Sequence, residues 1–138
     1  MFDEIKKYKN NGHFFFQKGV SLLEVSAGVP ELPGVYYIIK LAHGRVDLVY
    51  IGKSGTMEQN GHFKNQLLKK RLNNKQENMR REDFFLKKIE EENIDALDIY
   101  WFVTFDKQNH DLPAYVEGLL MQRYFEVHGK LPEWNKDF

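Results

Sequence analysis

Cysteine is absent from the 138 residues. That excludes disulfides, cysteine nucleophiles and thiolate metal sites, leaves oxygen and imidazole as the available metal donors, and fits a reducing cytoplasm. Also missing is any apolar run long enough to span a bilayer, and the first residues, MFDEIKKYKNNGHFFFQKG, lack the apolar centre of a signal peptide. The expectation is a cytoplasmic protein with no membrane partner. No internal repeat or low-complexity tract is present. The four prolines fall at breaks, with Pro30 and Pro33 ahead of a strand, Pro113 opening a helix and Pro132 beyond its end. What remains is a globular composition, 42% hydrophobic and 29% charged, at a length suited to one domain with its own core.

Charge of one sign is lacking overall, since 20 basic residues balance 20 acidic ones. A neutral chain argues mildly against nucleic acid, because DNA-binding domains tend to be basic. The distribution is uneven, however. Residues 64–88 hold nine basic side chains against three acidic ones, a net of +6, and the rest of the chain carries the opposite charge. Lys64, Lys69, Lys70, Lys75, Arg80 and Arg81 are therefore candidates for phosphate contact, and the competing reading is a solvated helix face.

The element order reads strand, strand, helices, strand, helix. Residues 3–10 suit a short helix, followed by the apolar HFFFQ, and Ser21-Leu22-Leu23-Glu24 has the form of a capping box. A β-hairpin is expected with 35–41 paired to 46–52, then helices over about 64–74 and 82–92. A third strand, rich in aromatic and branched residues, covers 98–105, and a last helix runs from Asp111 and Pro113 to about His128. A three-residue hairpin loop, Ala42-His43-Gly44, would place the glycine where such loops want a left-handed residue and would set Tyr36 directly opposite Tyr50 on one face. A two-residue loop would put the two on opposite faces.

Several residues suggest chemistry. In the last helix Leu112, Val116, Leu119, Leu120 and Val127 form an apolar stripe, with Glu117 at its border beside Leu120, Met121 and Tyr124. A carboxylate there needs a cationic partner, a proton, a metal ion or a route to solvent. Arg71, in QLLKKRLNN, offers a planar fork for phosphate oxygens or is a solvated helix arginine. His62 lies in a polar, glycine-containing stretch, and Asn135 near the chain end has the character of a turn former.

Together these residues resemble the GIY-YIG nuclease family, whose two strand motifs read here Gly34-Val35-Tyr36 and Tyr50-Ile51-Gly52. Lys53 follows the second motif, with Arg71, Glu117 and Asn135 after it in the family's order. The resemblance implies an α+β domain with a central three-stranded antiparallel sheet flanked by helices over residues 33–138, with residues 1–32 as an extension packed on the core. It also implies hydrolysis of phosphodiester bonds in DNA with one Mg²⁺ or Mn²⁺ on Glu117. Arg71 would stabilise charge on the phosphoryl group, Tyr36 would activate water with a cation such as Lys53 or Arg71 favouring its phenolate, and Tyr50 would orient the water or phosphate. Asn135 would support the site from behind.

Valine stands for the middle isoleucine of the first motif, and the 18-residue interval from Lys53 to Arg71 is longer than in many members. The inserted TMEQNGHFKNQ resembles segments with which restriction-type members contact DNA, and it leaves Arg80 or Arg81 as replacements for Arg71. Little length is left for a separate recognition domain. DNA is the expected partner, with RNA open, a monomer or homodimer as the assembly, and a protein partner as one source of DNA recognition. The alternative to an enzyme is a binding module that keeps the fold without cleavage.

Overall fold

The computed structural model describes residues 2–64 and 67–138; Asn65 and Gln66, within the inserted stretch and the start of the expected 64–74 helix, lie outside the described residues. The chain is an α+β structure built on a four-stranded antiparallel sheet. In chain order the elements are β1 (Asn11–Phe16), α1 (Leu22–Val25), β2 (Gly34–Ala42), β3 (Arg45–Ser54) and two short strands, β4 (Thr56–Met57) and β5 (Phe63–Lys64). Then come α2 (Leu68–Leu72), the small β6 (Lys75–Gln76) and β7 (Met79–Arg80), α3 (Arg81–Glu92), β8 (Ala96–Val103) and α4 (Pro113–His128). The sheet order is β1-β8-β2-β3.

This corrects the three-stranded expectation. β2, β3 and β8 form the expected trio, but HFFF of the N-terminal segment is a strand that pairs along β8, from Asn11 opposite Phe102 to Phe16 opposite Leu97. The helix expected over 3–10 shrinks to a single 3₁₀ turn, Asp3–Ile5. Residues 1–32 thus contribute to the sheet rather than merely covering it.

Both faces of β2 are covered, so its apolar residues run almost without interruption. Alternation sends Tyr36 and Ile38 into one core with Phe84, Phe85 and Ile89 of α3 and Leu68 and Leu72 of α2. Val35 goes the other way, to Ile51 and to Val116, Leu120 and Met121 of α4. Of the stripe expected on α4, Val127 is 77% and Leu112 42% exposed. Val127 lies three turns beyond Val116 on the same side, where the helix has run past its apolar partners, and Leu112 is the residue before the first turn. The helix expected over 64–74 has only the five residues of α2, because the chain turns at Asn73 and makes the β6–β7 hairpin, with Glu77 and Asn78 left-handed.

The hairpin register also differs from expectation. The loop has two residues, His43 and Gly44, both at positive φ, and Ala42 faces Arg45. That register alone would have turned the two tyrosines to opposite faces. A bulge between Ile38 and Ile39 corrects it: Ile39 faces Leu48 but Ile38 faces Tyr50, so Val49 is the extra residue. Val49 and Tyr50 then both pack into the α3 side. Tyr36 faces Gly52 rather than Tyr50, yet the two phenols share a face, with ring centroids 6.0 Å apart.

β3 is an edge strand, and the C-terminal segment occupies part of that edge. The bulge carbonyl of Val49 accepts from Trp134 N at 2.8 Å. Asn135 acts like a short piece of strand: its Oδ1 accepts from Ile51 N and its Nδ2 donates to Ile51 O, both at 3.0 Å. The backbone between Tyr50 and Gly52 is held from outside the sheet by these two bonds.

Candidate active site

A cleft of about 500 Å³ opens at the end of β3, lined by Tyr50, Gly52, Lys53, Ser54, Gly55, Thr56, Arg71, Asn74 and Glu117. Its position follows from strand alternation at an edge. Tyr50 and Gly52 belong to the side covered by α2 and α3, whereas Lys53, opposite Val35, belongs to the α4 side. Along the free edge of an edge strand groups from both sides can meet, and here Arg71 of α2 and Glu117 of α4 line the same space.

Glu117 is half-buried and forms no ion pair among the described residues. Burial pushes its carboxyl up to about 7, against an opposing pull from the nearby charges of Lys53 and Arg71. No group of three or more histidine, aspartate or glutamate side chains is gathered among the described residues. Among the residues lining the cleft, Glu117 alone carries a carboxylate. That fits Mg²⁺ or Mn²⁺, which dehydrates reluctantly and is commonly held by one or two carboxylates with substrate phosphates and water completing the shell.

The glycine of Tyr50-Ile51-Gly52 has a steric reason. A Cβ on Gly52 would lie 2.5 Å from Tyr36 Cζ and 2.6 Å from Tyr36 Oη. The end of the Tyr36 phenol rests on the bare backbone of its cross-strand partner, and the ring is fully buried, so it has no free direction in which to retreat. Gly52→Ala is expected to destabilise the protein by about 1–3 kcal/mol, the usual cost of overpacking, seen as a lower urea midpoint at unchanged slope. An unchanged midpoint would mean that the Tyr36 ring has room to move.

The expected site residues thus divide into three groups. Tyr50, Lys53, Arg71 and Glu117 line the cleft together. Tyr36 lies beneath Tyr50 with no exposed surface, and Asn135 stands behind, on the Ile51 backbone. His62 is exposed and is not among the residues lining the cleft.

Among the basic candidates, Lys64, Lys70 and Lys75 are exposed, Lys69 is half-buried, and none of the four has an ion pair among the described residues. Arg80 is exposed and paired with Asp83 at 3.1 Å. Arg81 is corrected outright as a surface contact, because it is only 1% exposed.

Arg81 is the residue that sequence reasoning misplaced. Its Nη2 donates to Tyr36 Oη at 3.0 Å, and its guanidinium carbon lies 5.6 Å from the Tyr36 ring centroid and 5.7 Å from those of Tyr50 and Phe85. Its backbone N donates at 2.6 Å to the carbonyl of Asn74, a cleft-lining residue. The cation expected to touch Tyr36 was Lys53 or Arg71; the one that does is Arg81. A signal was present in the sequence, since Arg81 precedes Phe84, Phe85 and Ile89 by three, four and eight positions, the spacing of a buried helix face.

Among known proteins, the chain matches no family model, no curated protein and no solved structure.

Proposed function

We propose that this chain is a metal-dependent endonuclease of GIY-YIG type that hydrolyses phosphodiester bonds in DNA. The observation that carries the reading is the cleft itself: Tyr50, Lys53, Arg71 and Glu117, singled out from three separate stretches of sequence, line one space, with Tyr36 directly below. Lys53 and Arg71 supply positive charge where a phosphodiester would sit, and a guanidinium can grip two of its oxygens at once. Glu117 would hold the Mg²⁺ or Mn²⁺, which when bound supplies Lewis-acid stabilisation of charge at the phosphoryl group and leaving oxygen.

Within the phenol pair, Tyr50 meets the cleft and orients what enters it, while Tyr36, buried behind it, would accept a proton from a cleft water only by way of the Tyr50 hydroxyl, to which it is hydrogen-bonded. Asn135 fixes the strand that carries Tyr50. The exposed Lys64, Lys70 and Lys75 extend the positive surface along the backbone of a bound duplex, where they position it without reading sequence.

The test is incubation of the purified chain with supercoiled DNA, and separately with RNA, in Mg²⁺, Mn²⁺ or chelator. Nicking or linear product with metal, and none with chelator, is the expected result. Salt-sensitive binding without cleavage would instead favour the non-catalytic module, and neither binding nor cleavage at low salt would overturn both readings.

A further inference from the structure

Next to the cleft lies a second, larger hollow that the cleavage chemistry does not use. It is a groove of about 1030 Å³ whose lining includes Pro33, Phe63, Phe105 and His110, with Lys9 and Lys107. Gly55 lines the cleft, and a Cβ placed on it would lie 3.1 Å from Phe63 Cδ1 and 3.4 Å from Pro33 Cβ. At Gly55, therefore, cleft and groove share a wall one residue thick.

The segment that carries Phe105 is preformed. Beyond β8 the chain reverses so that Phe105 bridges to His110, with Asp106 N donating to Asn109 O at 2.8 Å. Asp106 Oδ1 accepts from the backbone N of Gln108 and of Asn109, both at 2.9 Å, so the carboxylate in the groove lining serves its own turn. Lys9 and Lys107 are exposed and have no ion pair among the described residues. The half-buried Phe63 and Phe105 meet edge to face at 4.9 Å, and Phe105 and His110 are tilted at 5.3 Å. Rings that offer faces, accompanied by unpaired cations, suit a flat base carried on an anionic backbone, because every base has a π face and lysines track phosphates. An apolar protein segment would leave the lysines without a partner. The bases of an intact duplex are stacked and paired, out of reach of such a groove.

We propose that the groove stacks an unpaired nucleobase beside the phosphate held in the cleft, which makes DNA with unpaired nucleotides at the cut the preferred substrate class. This role for the groove rests on the nuclease reading of the cleft. In an intact duplex the neighbouring base must first leave the stack, whereas at a flap, gap or mismatch it is already free.

The test compares, in chelator so that nothing is cut, the binding of a short oligothymidylate with that of the same strand carrying abasic sugars in place of its bases. Wild-type protein should hold the base-bearing strand about 10-fold more tightly, within the range for one stacked base. Phe63→Leu and Phe105→Leu keep the groove apolar but each removes a ring, so each should lose most of that preference. Lys107→Ser should weaken both strands alike, since phosphate contacts carry no base information. Equal affinity of wild type for the two strands would overturn the proposal. So would an undiminished preference in both folded phenylalanine variants, which would leave the groove to a protein segment. If neither variant folds, an undiminished preference in His110→Ala, at an exposed position, would overturn it equally. With Mn²⁺, a gapped duplex should be cut faster than an intact one. Cleavage at equal rates would sink the role of the groove alone, and base-dependent binding without cleavage of any DNA would sink the nuclease reading and leave the groove as a stacking site.

Discussion

Glu117→Gln protein is expected to bind DNA nearly as well as wild type and to cut it about 10³-fold more slowly or not at all, with weaker Mn²⁺ binding by calorimetry. The amide keeps the size of the side chain but removes the negative charge that a hard cation needs, and a bound metal is worth several kcal/mol of transition-state stabilisation. The positive charges of Lys53 and Arg71 in the cleft are left in place, which is why affinity should survive. The same variant has a second readout that needs no DNA. Because burial raises the Glu117 carboxyl from 4.5 to about 7, the metal-free folded protein holds this proton more tightly than the unfolded chain does. The stabilisation is complete below about pH 4.5 and is lost as pH rises through 7, by about 2 kcal/mol for a partly solvated group. Metal-free Glu117→Gln should therefore gain on wild type in urea denaturation between pH 5 and 8. Parallel stability profiles together with wild-type cleavage would remove Glu117 from the site.

Tyr36→Phe is expected to lower the single-turnover rate by about 10²–10⁴, the usual contribution of a general acid or base, while metal and DNA still bind. It should also lower stability by about 1–3 kcal/mol, since it takes away the acceptor of the Arg81 hydrogen bond and leaves a buried donor unpaired. The two losses separate by ranking variants. Gly52→Ala disturbs the same ring without removing the hydroxyl, so it should match Tyr36→Phe in stability and exceed it in rate. Wild-type single-turnover cleavage by Tyr36→Phe would reduce the tyrosine to core packing.

Much of this site was legible because its residues announce themselves locally. Tyr50 and Lys53 stand three positions apart on one strand, Arg71 sits in a short basic helix, and Glu117 borders an apolar stripe. The sheet was legible in β2, β3 and β8, where aromatic and branched residues run together. HFFF was not read as a strand, because no local signal says that β8 has a free edge waiting for it; that is a property of the assembled sheet. Arg81 was hidden for the opposite reason. Its neighbours Arg80, Glu82 and Asp83 make the segment look like a solvated face, and the burial of Arg81 follows from where α3 lies against Tyr36 and Tyr50. The phenols share a face as expected, but for a different reason: the loop is one residue shorter than the argument required, and the bulge at Val49 restores the parity.

That pair of offsets limits how the hairpin can change over time. Each step alone reverses which way every later side chain of β3 points, in the manner of a reading-frame error, and the second suppresses the first. A lineage that lost or gained one residue in the turn would swing Tyr50 and Gly52 toward α4 unless the bulge vanished in the same stroke, and the bulge carbonyl is tied down by Trp134 at the far end of the chain. Hairpin length in such proteins should therefore drift in steps of two, or in matched pairs of single-residue events.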